Sequence, residues 1–596
     1  MAGSDRLAAR RLRARARLSC TRTARASGIL ASVQFSPSPA ASSDLEAQTE
    51  SGLALSVVVP VFNQESSIVG NVGVIVEKVG AGLGEPFEVI VVSDGSIDTT
   101  AERLLEVELP NVKVLHYDRN LGKGYALKVG TLAARGAVVG FVDADLDLDP
   151  ASLPLYVAAL REQKLDFAIG SKRHPDSHVD YPRSRRVASW MFQQFVRALF
   201  RLNVRDTQVG LKVFRRDIAE QVIPLLLVKR YAFDIELLVV GRAFGFDRVG
   251  EMPIRLDYQF TGSGVRSRAV LRALIDTAAI FYRLRILRYY QRRRAMVGAF
   301  GWTRPRSYQP LVSVLVTPGA SFREGDYPHA EVVELADESA SALWQGVAAA
   351  NGEVVAVLET GATSAANWLS STVPFLTRAE LGAVVSPKMS PSSGSLREQA
   401  AAAIVESRVG AGLGYFRFTP GNIRLVQAYP ASTFVARRDA LSGIRHETPV
   451  DGVVAALAEG AGGGVLYAPD SVIVVAPPPL VGPHFARVFR DAKARGQAIR
   501  RGALAPTRVL SAFVGLTAVL ALAILLGRSD LGLLSGVVVS VLAAYVTVLL
   551  LAAAAAALRF RSPAVGSLVV IGIPPTHAVY AAGLALGLAG GGASAS

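Results

Sequence analysis

The sequence predicts an α/β protein built around a parallel sheet, followed by a second α/β domain and apolar helices near the C-terminal end. Apolar runs typical of buried strands alternate with helical stretches between residues 53 and 290. A similar alternation returns over residues 310–483. Three later stretches, within residues 509–588, each reach the roughly 20 apolar residues that a membrane span requires.

The composition indicates a basic chain of more than one domain. With 596 residues, the chain is long enough for two or more domains. Its 64 lysines and arginines exceed its 49 aspartates and glutamates, which gives a net charge of +15. Cys20 is the single cysteine, so an intrachain disulfide framework is excluded. We find no recognisable nucleic-acid-binding motif and expect no nucleic-acid partner.

Residues 1–50 combine many arginines with serine, alanine and proline, and almost no acidic residue precedes Asp44. A segment of this composition cannot bury a core, so we predict a disordered basic tail. Attraction to a membrane surface and targeting to an organelle are the alternatives.

Four short runs, at residues 55–59, 87–92, 112–116 and 137–142, predict the first strands of the sheet. The first, second and fourth are mostly apolar at successive positions, as expected for parallel strands that are buried on both faces. Polar residues and glycines follow the runs. Because ligands of open α/β sheets bind beyond the carboxyl ends of the strands, we expect a functional site at that edge.

The fourth run ends in alternating aspartates, Asp143, Asp145, Asp147 and Asp149. Carboxylates this close repel one another, and a hard cation such as Mg²⁺ or Mn²⁺ relieves the repulsion while bridging to substrate phosphates. A solvated acidic turn is the alternative. Asp149 precedes Pro150 and is predicted to cap the next helix rather than to bind metal.

Seven short motifs in order make a family resemblance specific. They lie at residues 60–65, 93–99, 120–126, 143–147, 170–173, 206–214 and 230–236. The motifs resemble those of inverting, nucleotide-sugar-dependent glycosyltransferases of the GT-A fold, and in particular the dolichyl-phosphate β-glucosyltransferase branch. Polyprenyl-phosphate mannose synthases share most of the pattern. The resemblance implies a Rossmann-like GT-A catalytic domain over residues 53–262, a nucleotide-sugar donor (UDP-glucose favoured, GDP-mannose the alternative) and a polyprenyl-phosphate acceptor.

The resemblance also implies roles for individual residues. The residues that would bind the donor follow the first strands: Pro60, Phe62, Glu65, Asp94, Lys123 and Asp143. Those that would bind Mg²⁺ or Mn²⁺ are Asp143, Asp145 and, as a further candidate, Asp147. Those that would hold the acceptor phosphate are Arg173, Arg186 and Lys212, the last with an ordinary surface charge as its alternative. Those implied at the reacting centre are Asp145, Asp206, Gln208, Asp234 and Glu236.

The expected chemistry needs little proton transfer. A phosphate acceptor has a second pKa near ~6, so it is already anionic at neutral pH and requires positioning more than a general base. We therefore expect Asp234 and Glu236 to orient groups. Base catalysis by Asp234 belongs to the alternative in which the acceptor is a hydroxyl group. Gln64 stands where many relatives have a glutamate, which departs from the family pattern.

Residues 263–300 intersperse arginines with leucine, isoleucine and aromatic residues. The spacing predicts basic amphipathic helices next to an anionic membrane surface. Helices that simply cover the protein core are the alternative.

Residues 310–483 echo the first domain. The segment around Gly352 matches that around Gly136 at an offset of 216, and the offset places Glu359 at the position of Asp143 and Gly361 at that of Asp145. We predict a degenerate, non-catalytic GT-A-like domain, because a metal site that loses its ligands loses its chemistry. Coincidental α/β similarity and a second active transferase are the alternatives.

The C-terminal part predicts a multi-pass membrane protein. A basic juxtamembrane segment at residues 484–508 precedes three predicted spans at residues 509–527, 531–558 and 564–588. The third contains Pro574 and Pro575, which suggests a kinked or re-entrant segment. The basic residues beside the spans place both globular domains on the cytoplasmic side.

Taken together, the sequence predicts a membrane-anchored inverting glycosyltransferase that moves a hexose from a nucleotide sugar to polyprenyl or dolichyl phosphate. Two alternatives stay open: an exopolysaccharide or cell-envelope transferase with a hydroxyl acceptor, and a non-catalytic membrane scaffold.

Overall fold

A computed structural model describes residues 52–589, with gaps at residues 107–108, 118, 180–182, 257–266, 300–307, 326, 378–379, 427–428, 430, 461–463, 470 and 502–531. The predicted N-terminal tail and the first predicted span, residues 509–527, lie outside the described residues. Two α/β units are described, the first over residues 52–256 and the second over residues 308–475.

The first unit contains a sheet with its flanking helices. Its strands are β1 (Leu55–Val61), β2 (Phe87–Asp94), β3 (Val112–Tyr117), β4 (Val138–Phe141), β5 (Phe167–Gly170), β6 (His178–Val179), β7 (Lys212–Arg215), β8 (Val249–Met252) and β9 (Arg255–Leu256). Its helices are α1 (Ile68–Leu83), α2 (Thr100–Glu106), α3 (Lys123–Ala133), α4 (Ser152–Glu162), α5 (Arg183–Phe200), α6 (Arg216–Gln221) and α7 (Phe233–Ala243).

Within the described residues, the main sheet of the first unit has the order β3-β2-β1-β4-β7-β5-β8. Neighbouring strands are parallel except where β7 pairs antiparallel with β4 and β5. Alternate residues of β1 enter the cores on the two faces of the sheet, Val57 and Val59 on one face and Val58 on the other. Helix α1 packs on the first of these faces, because its buried residues recur at helical spacing.

The second unit contains its own sheet. Its strands are β10 (Val312–Val316), β11 (Ala330–Glu334), β12 (Val354–Leu358), β13 (Thr363–Ser364), β14 (Leu381–Val385), β15 (Lys388–Met389), β16 (Arg424–Val426), β17 (Phe434–Arg437), β18 (Gly464–Tyr467) and β19 (Ile473–Val474). Its helices are α10 (Ala340–Ala349), α11 (Trp368–Thr372), α12 (Leu396–Val405), α13 (Arg408–Ala411), α14 (Arg438–Leu441) and α15 (Val450–Glu459).

The main sheets of the two units share an arrangement. In the part of the second unit that the structure describes, the strand order is β11-β10-β12-β17-β14-β18-β16, and β17 is antiparallel to β12 and β14 as β7 is to β4 and β5. The six neighbouring strands β2-β1-β4-β7-β5-β8 of the first sheet therefore correspond, in this order, to β11-β10-β12-β17-β14-β18 of the second. Strand β3 at one edge and β16 at the other have no counterpart.

A hydrogen-bond network is also repeated between the units. In the first unit, the Ser56 hydroxyl donates to Glu88 at 2.6 Å and accepts from the Gly136 backbone N–H at 2.7 Å. In the second, the Ser313 hydroxyl donates to Glu331 and accepts from the Gly352 N–H at 2.8 Å. A Cβ atom at either glycine would overlap backbone atoms of the neighbouring strand, so both positions require glycine.

The two units are packed together. One buried hydrophobic cluster contains Val58 and Val92 of the first unit together with Val314 and Leu358 of the second. Between the units lie helix α8 (Ser267–Phe281), a π-helical turn (Tyr282–Ile286) and helix α9 (Tyr289–Ala299). Several arginines of this segment point into the protein: Arg283 contacts Glu236, and Arg294 lies 4.5 Å from the centre of the Phe244 ring.

The C-terminal part is helical where it is described. It contains α16 (Gly482–Arg500), α17 (Gly532–Phe560) and α18 (Pro563–Ala589). Among the described helices, two segments are long and apolar enough to cross a membrane, Leu542–Phe560 and Pro563–Ala589. The third predicted span is thus one helix that runs through both prolines. Helix α16 packs tightly along α18, since side chains at Gly496, Gly583 or Gly587 would overlap the opposing helix.

Candidate active site

The aspartates after β4 lie at the carboxyl edge of the first sheet, where they face segments from several other strands. Lys123, the first residue of α3, places its ammonium 2.5 Å from Asp143 Oδ1. Gly210 lies directly behind Asp143, and a Cβ atom at Gly210 would overlap that carboxylate. Asp143, Lys123 and the segment around Gly210 therefore lie together at this edge.

Lys123 is held in its charged form. Burial disfavours the ammonium, but the carboxylates of Asp143, Asp234 and Asp145 outweigh burial and raise the pKa of Lys123. The side chain keeps 32% of its surface exposed. A stable positive charge at the start of a helix, with part of its surface open, is suited to binding a phosphate group.

Asp145 and Asp147 differ from Lys123, because their surroundings favour the neutral form of each carboxyl group. Burial and repulsion from Asp143 and Asp147 raise the pKa of Asp145, and burial and repulsion from Asp143 raise the pKa of Asp147. Among the described residues, no three His, Cys, Asp or Glu side chains are grouped closely enough to hold a metal ion alone. One or two carboxylates completed by substrate phosphates are the usual Mg²⁺ arrangement, and the oxygen ligands here suit that cation.

Lys212 and Asp234 form a buried ion pair beside the aspartates. The Lys212 ammonium lies 2.9 Å from Asp234 Oδ1 and also donates to the Val209 carbonyl, while the side chain is only 1% exposed. The alternative of an ordinary surface charge at Lys212 is therefore wrong. Asp234 lies in the first turn of α7 and is 13% exposed.

The predicted acceptor-side residues lie on two adjoining loops. The Asp206 carboxylate accepts from the Lys172 backbone N–H at 3.3 Å and from the Gln208 N–H at 3.1 Å, so it joins the loop after β5 to the loop before β7. The backbone of Arg173 is held by the Ser171 hydroxyl in the first of these loops. The Gln208 side chain is exposed. Arg186 lies near the start of α5, and its side chain is outside the described residues.

Asp94 supports the loop that carries Lys123. Its buried carboxylate accepts from the Tyr117 hydroxyl at 2.8 Å, from the Leu121 N–H at 2.8 Å and from the Gly122 N–H at 2.9 Å. Burial raises the pKa of Asp94 to about 6 although these hydrogen bonds oppose the shift. The observed contacts are thus with protein groups that shape the donor side of the site.

The remaining donor-side candidates lie where β1 and β2 end. The Glu65 carboxylate accepts from the Thr99 N–H at 3.0 Å and from its hydroxyl at 2.7 Å, which ties the first motif to the second. Pro60 is part of β1, and Phe62 follows that strand with 43% of its surface exposed. Gln64 has a buried side-chain oxygen that accepts no hydrogen bond from the described residues.

Glu236 is fully buried in α7. It accepts from the Leu227 and Val228 backbone N–H groups at 2.8 and 2.7 Å and from the Tyr290 hydroxyl. All of these partners are internal, so the geometry suits a structural link between α7 and α9 rather than contact with a reacting group.

A comparison with protein families identifies the part of the chain that contains this edge. Residues 56–223 match the family described as glycosyl transferase family 2. The chain contains a family 2 glycosyltransferase domain. The matched residues include the strand ends, Lys123, the aspartates and the acceptor-side loops, whereas Asp234 and Glu236 follow the matched range.

Curated relatives are similar to the family 2 domain and its flanks. Glycosyltransferase AglD of Haloferax volcanii is 36% identical over 211 residues, which is 35% of this chain and 34% of the relative. Dolichyl-phosphate beta-glucosyltransferase of Drosophila melanogaster is 36% identical over 204 residues, 32% of this chain and 63% of the relative. Dodecaprenyl-phosphate galacturonate synthase of Rhizobium johnstonii is 29% identical over 258 residues, 42% of this chain and 72% of the relative.

A solved structure that resembles the chain is glucosyl-3-phosphoglycerate synthase from Mycobacterium tuberculosis in complex with UDP. The sequence identity is 19%, the TM-score is 0.31, and the match covers 42% of this chain and 86% of that chain.

Two residues beside the family 2 site were not among the predicted ones. Tyr117, at the end of β3, holds Asp94, and Arg119 lies just before the loop that carries Lys123. Arg119 pairs with Glu406 of the second unit at 2.9 Å. The only sequence signal for Arg119 is its position next to the motif at residues 120–126, because its partner is 287 residues away.

Proposed function

We propose that the chain is a membrane-anchored glycosyltransferase that moves a hexose, with inversion, from a nucleotide sugar to a polyprenyl phosphate. The observation that carries the proposal is the charge pattern at the carboxyl edge of the first sheet. Among the described residues, the carboxylates of Asp143, Asp145, Asp147 and Asp234 face the two ammonium groups of Lys123 and Lys212, an excess of two negative charges.

One divalent cation supplies the missing charge. Asp143 and Asp145 would hold Mg²⁺ or Mn²⁺, with Asp147 close by, and the bound cation would neutralise the departing diphosphate. Lys123, the first residue of α3, would bind the same diphosphate from the other side. The Lys123 ammonium is mobile on its stem and can turn from Asp143 to the phosphate when donor and cation are bound.

The acceptor requires positioning rather than activation. A polyprenyl phosphate is anionic at neutral pH, because its second pKa is near ~6. The residues proposed to hold it are Arg173, on the loop after β5 that Asp206 contacts, and Arg186, near the start of α5. The phosphate oxygen attacks the anomeric carbon while the bond to the diphosphate breaks, and Asp234, paired with Lys212, orients the site without taking a proton.

The relatives guide the choice of substrates. Two of the three are named as synthases of polyprenyl-linked sugars, one with glucose and one with galacturonate. We therefore favour UDP-glucose as donor, keep GDP-mannose as the alternative, and propose a polyprenyl or dolichyl phosphate as acceptor.

Apolar side chains on neighbouring helices support attachment to a membrane. They protrude from α5, α8 and the π-helical turn as Trp190, Met191, Leu271, Ile275, Tyr282 and Ile286, each more than half exposed. Helices α17 and α18 provide the candidate spans. Together they would place the acceptor side of the family 2 domain at the surface where a lipid phosphate resides.

We further propose that the second unit is a degenerate, non-catalytic GT-A-like domain. Glu359, at the position of Asp143, pairs with the Lys388 ammonium at 2.5 Å, and both side chains are largely buried. The ammonium provides the counter-charge that a metal ion would supply in an active copy.

The proposal can be tested with the full-length protein in lipid nanodiscs that contain polyprenyl phosphate. Each of UDP-glucose, UDP-galacturonate and GDP-mannose is supplied in radiolabelled form, with Mg²⁺, Mn²⁺ or EDTA. We expect a lipid-extractable product of inverted anomeric configuration that requires a divalent cation. A product found only on hydroxyl acceptors would favour the exopolysaccharide-type alternative. Donor binding without any turnover would favour the scaffold.

A matched pair of variants assigns the activity to the aspartates. Asp147→Asn changes a carboxylate of the metal group, and Asp149→Asn changes one that accepts from the Ala151 N–H and pairs with Lys78. We expect slower transfer and weaker dependence on the cation in the first variant and wild-type transfer in the second.

A further inference from the structure

The second unit contacts the donor loop, which is the segment of residues 119–125 that contains Lys123 and the first turn of α3. Arg119, at the start of this loop, donates to Glu406 at 2.9 Å and to the Thr419 hydroxyl at 3.2 Å. Tyr125, at its end, donates its hydroxyl hydrogen to the Pro469 carbonyl at 3.1 Å. The second unit thus contacts residues on both sides of the lysine that we propose to bind the donor diphosphate.

A neighbouring segment of the first unit, which includes Lys229, is held in the same way. Lys229 donates to the Pro420 carbonyl of the second unit at 2.6 Å, and its ammonium lies 5.4 Å from the centre of the Tyr125 ring. Gly122 lies against the Lys229 backbone, where a Cβ atom would overlap the carbonyl oxygen. Contacts from the second unit therefore reach the donor loop directly and through the segment that packs on it.

The donor loop also lies against the first two motifs. Asp94 accepts from the Leu121 and Gly122 N–H groups, and a Cβ atom at Gly95 would overlap the backbone of Arg119 and Asn120. The loop is consequently fixed between the nucleotide side of the family 2 domain and the second unit. A shift on one side must move the other, because close-packed groups transmit displacement.

Glu406 is the centre of the contact. Its side chain is 1% exposed and accepts from Arg119 and from the Ser390 N–H at 3.0 Å. It also accepts from Arg559, which lies in the last turn of the candidate membrane helix α17. One buried carboxylate thus joins the donor loop, the second unit and the membrane end of the chain.

We propose that the second unit positions the donor-diphosphate loop and that Glu406 is its principal positioning residue. The inference rests on the proposed function, since it assigns the second unit a part in binding the nucleotide-sugar donor. Glu406 touches no substrate. It acts through Arg119 on the placement of Lys123, and it couples that placement to α17, so the donor site forms fully only when the membrane end is docked. Displacements of about 1 Å in a positioning group can change rates by about 10²-fold.

The test compares Glu406→Gln with Asp439→Asn in the full chain in nanodiscs. Asp439 forms the Arg437–Asp439 ion pair of the second unit at 3.1 Å and is 71% exposed, so its loss leaves the donor loop untouched. We expect Glu406→Gln to raise the KM for the nucleotide sugar about tenfold and to leave the KM for polyprenyl phosphate unchanged. Asp439→Asn should match wild type in both constants.

Two further readouts separate positioning from general damage. Hydrogen exchange of the backbone amides at residues 121–126 should become faster in Glu406→Gln and stay unchanged in Asp439→Asn. The double variant Arg119→Met/Glu406→Gln should have a donor KM no higher than that of the more impaired single variant, because both substitutions remove the same connection. If Glu406→Gln does not fold, Tyr125→Phe, which removes the bond to Pro469 and keeps the aromatic ring, is judged by the same donor KM and exchange rates.

The outcomes distinguish this inference from the proposed function. A wild-type protein that neither binds nor uses any nucleotide sugar would reject both. A wild-type protein that transfers sugar, while Glu406→Gln keeps the wild-type donor KM and the wild-type exchange at residues 121–126, would overturn the positioning role alone. A rise of both KM values by the same factor would also overturn it, because general damage does not select the donor.

Discussion

The carboxyl edges of the two sheets differ in their charge balance and in how far solvent reaches them. In the first unit, Asp143 contacts Lys123 from a helix start, and both side chains keep about 30% of their surface exposed. In the second unit, Glu359 contacts Lys388, and the exposed fractions fall to 12% and 5%. The first edge leaves room and negative charge for a cation and a donor. The second edge is neutralised by its own lysine.

Under our proposal that the second unit is a degenerate copy, the difference indicates how a transferase fold can lose its chemistry and keep its stability. Loss of the metal ion alone would leave buried carboxylates that repel one another. Here Gly361 occupies the position of Asp145, and the remaining Glu359 has gained an ammonium partner. A unit of this kind can act as a rigid partner for the first edge, as the contact of Glu406 with Arg119 indicates.

The largest expected effect is on transfer by the first edge. Asp145→Asn should lower kcat by about 10³-fold, because stabilisation of a departing diphosphate by a cation contributes several kcal/mol, at about 1.4 kcal/mol per tenfold change. Steady-state kinetics with radiolabelled donor measure the effect. The matched change at the second edge is the double variant Glu359→Gln/Lys388→Met, which removes both members of the pair. Its transfer per folded molecule should stay at the wild-type level, and a comparable loss there would mean that the second edge is catalytic.

The next effect is on stability and should fall on the second edge. Lys388→Met leaves Glu359 buried without its ammonium, which should lower the free energy of unfolding by about 3 kcal/mol. Lys123→Met breaks a pair that solvent reaches, so its effect should be about 1 kcal/mol or less. Denaturant unfolding of the full chain in detergent compares the two. Equal losses would contradict the contrast between a closed and an open edge.

Much of this contrast could be predicted from sequence, because it depends on local patterns. The first four strands begin and end within two residues of the predicted runs. In β1, β2 and β4 the reason is that parallel strands buried on both faces are rich in apolar residues. The substitution of Asp143 by Glu359 follows from a constant offset between two similar segments. The insertion of β7 between β4 and β5 was not predicted, because antiparallel pairing there depends on how a distant segment returns to the sheet.

Roles that depend on partners far along the chain were also beyond the sequence. Asp94 and Glu236 were expected near substrate because they lie in family motifs, yet their oxygens accept hydrogen bonds from nearby backbone N–H groups. Buried carboxylates require such partners, and the sequence does not show which donors will surround them. Lys388 lies 29 positions after Glu359 with no motif of its own, so the ion pair became visible only in the folded chain.

The pH dependence of stability should have opposite signs at the two edges. Burial and repulsion raise the pKa of Asp145, so the folded state holds a proton that the unfolded state releases, and stability falls as pH rises above the unfolded value near ~4. Burial opposes the charge on Glu359, but Lys388 and Arg487 outweigh it and lower its pKa. Its contribution is therefore present above the unfolded value and is lost on acidification.

Two variants separate these contributions in metal-free buffer. Asp145→Asn should remove part of the stability loss seen on raising the pH from 4 to 7. Glu359→Gln should remove part of the loss seen on lowering it from 5 to 3. Thermal unfolding midpoints across these ranges, each compared with wild type, provide the measurement. Slopes of the same sign for both variants would contradict the assignment of an open, repulsive edge and a closed, paired edge.

The smallest expected effect is the stabilisation of the first edge by a divalent cation. At a free Mg²⁺ or Mn²⁺ concentration ten times the Kd, binding to the folded state adds about 1.4 kcal/mol, which raises Tm by about 1 °C when the 596 residues unfold together. Thermal unfolding with and without EDTA should show this shift in wild type and in Glu359→Gln/Lys388→Met, and should not show it in Asp145→Asn. A shift that survives Asp145→Asn would place the cation elsewhere, and one that disappears in the second-edge variant would show that Glu359 takes part in binding it. The shift should grow when UDP is added, because the diphosphate would complete the set of oxygen ligands that we propose Asp143 and Asp145 to provide.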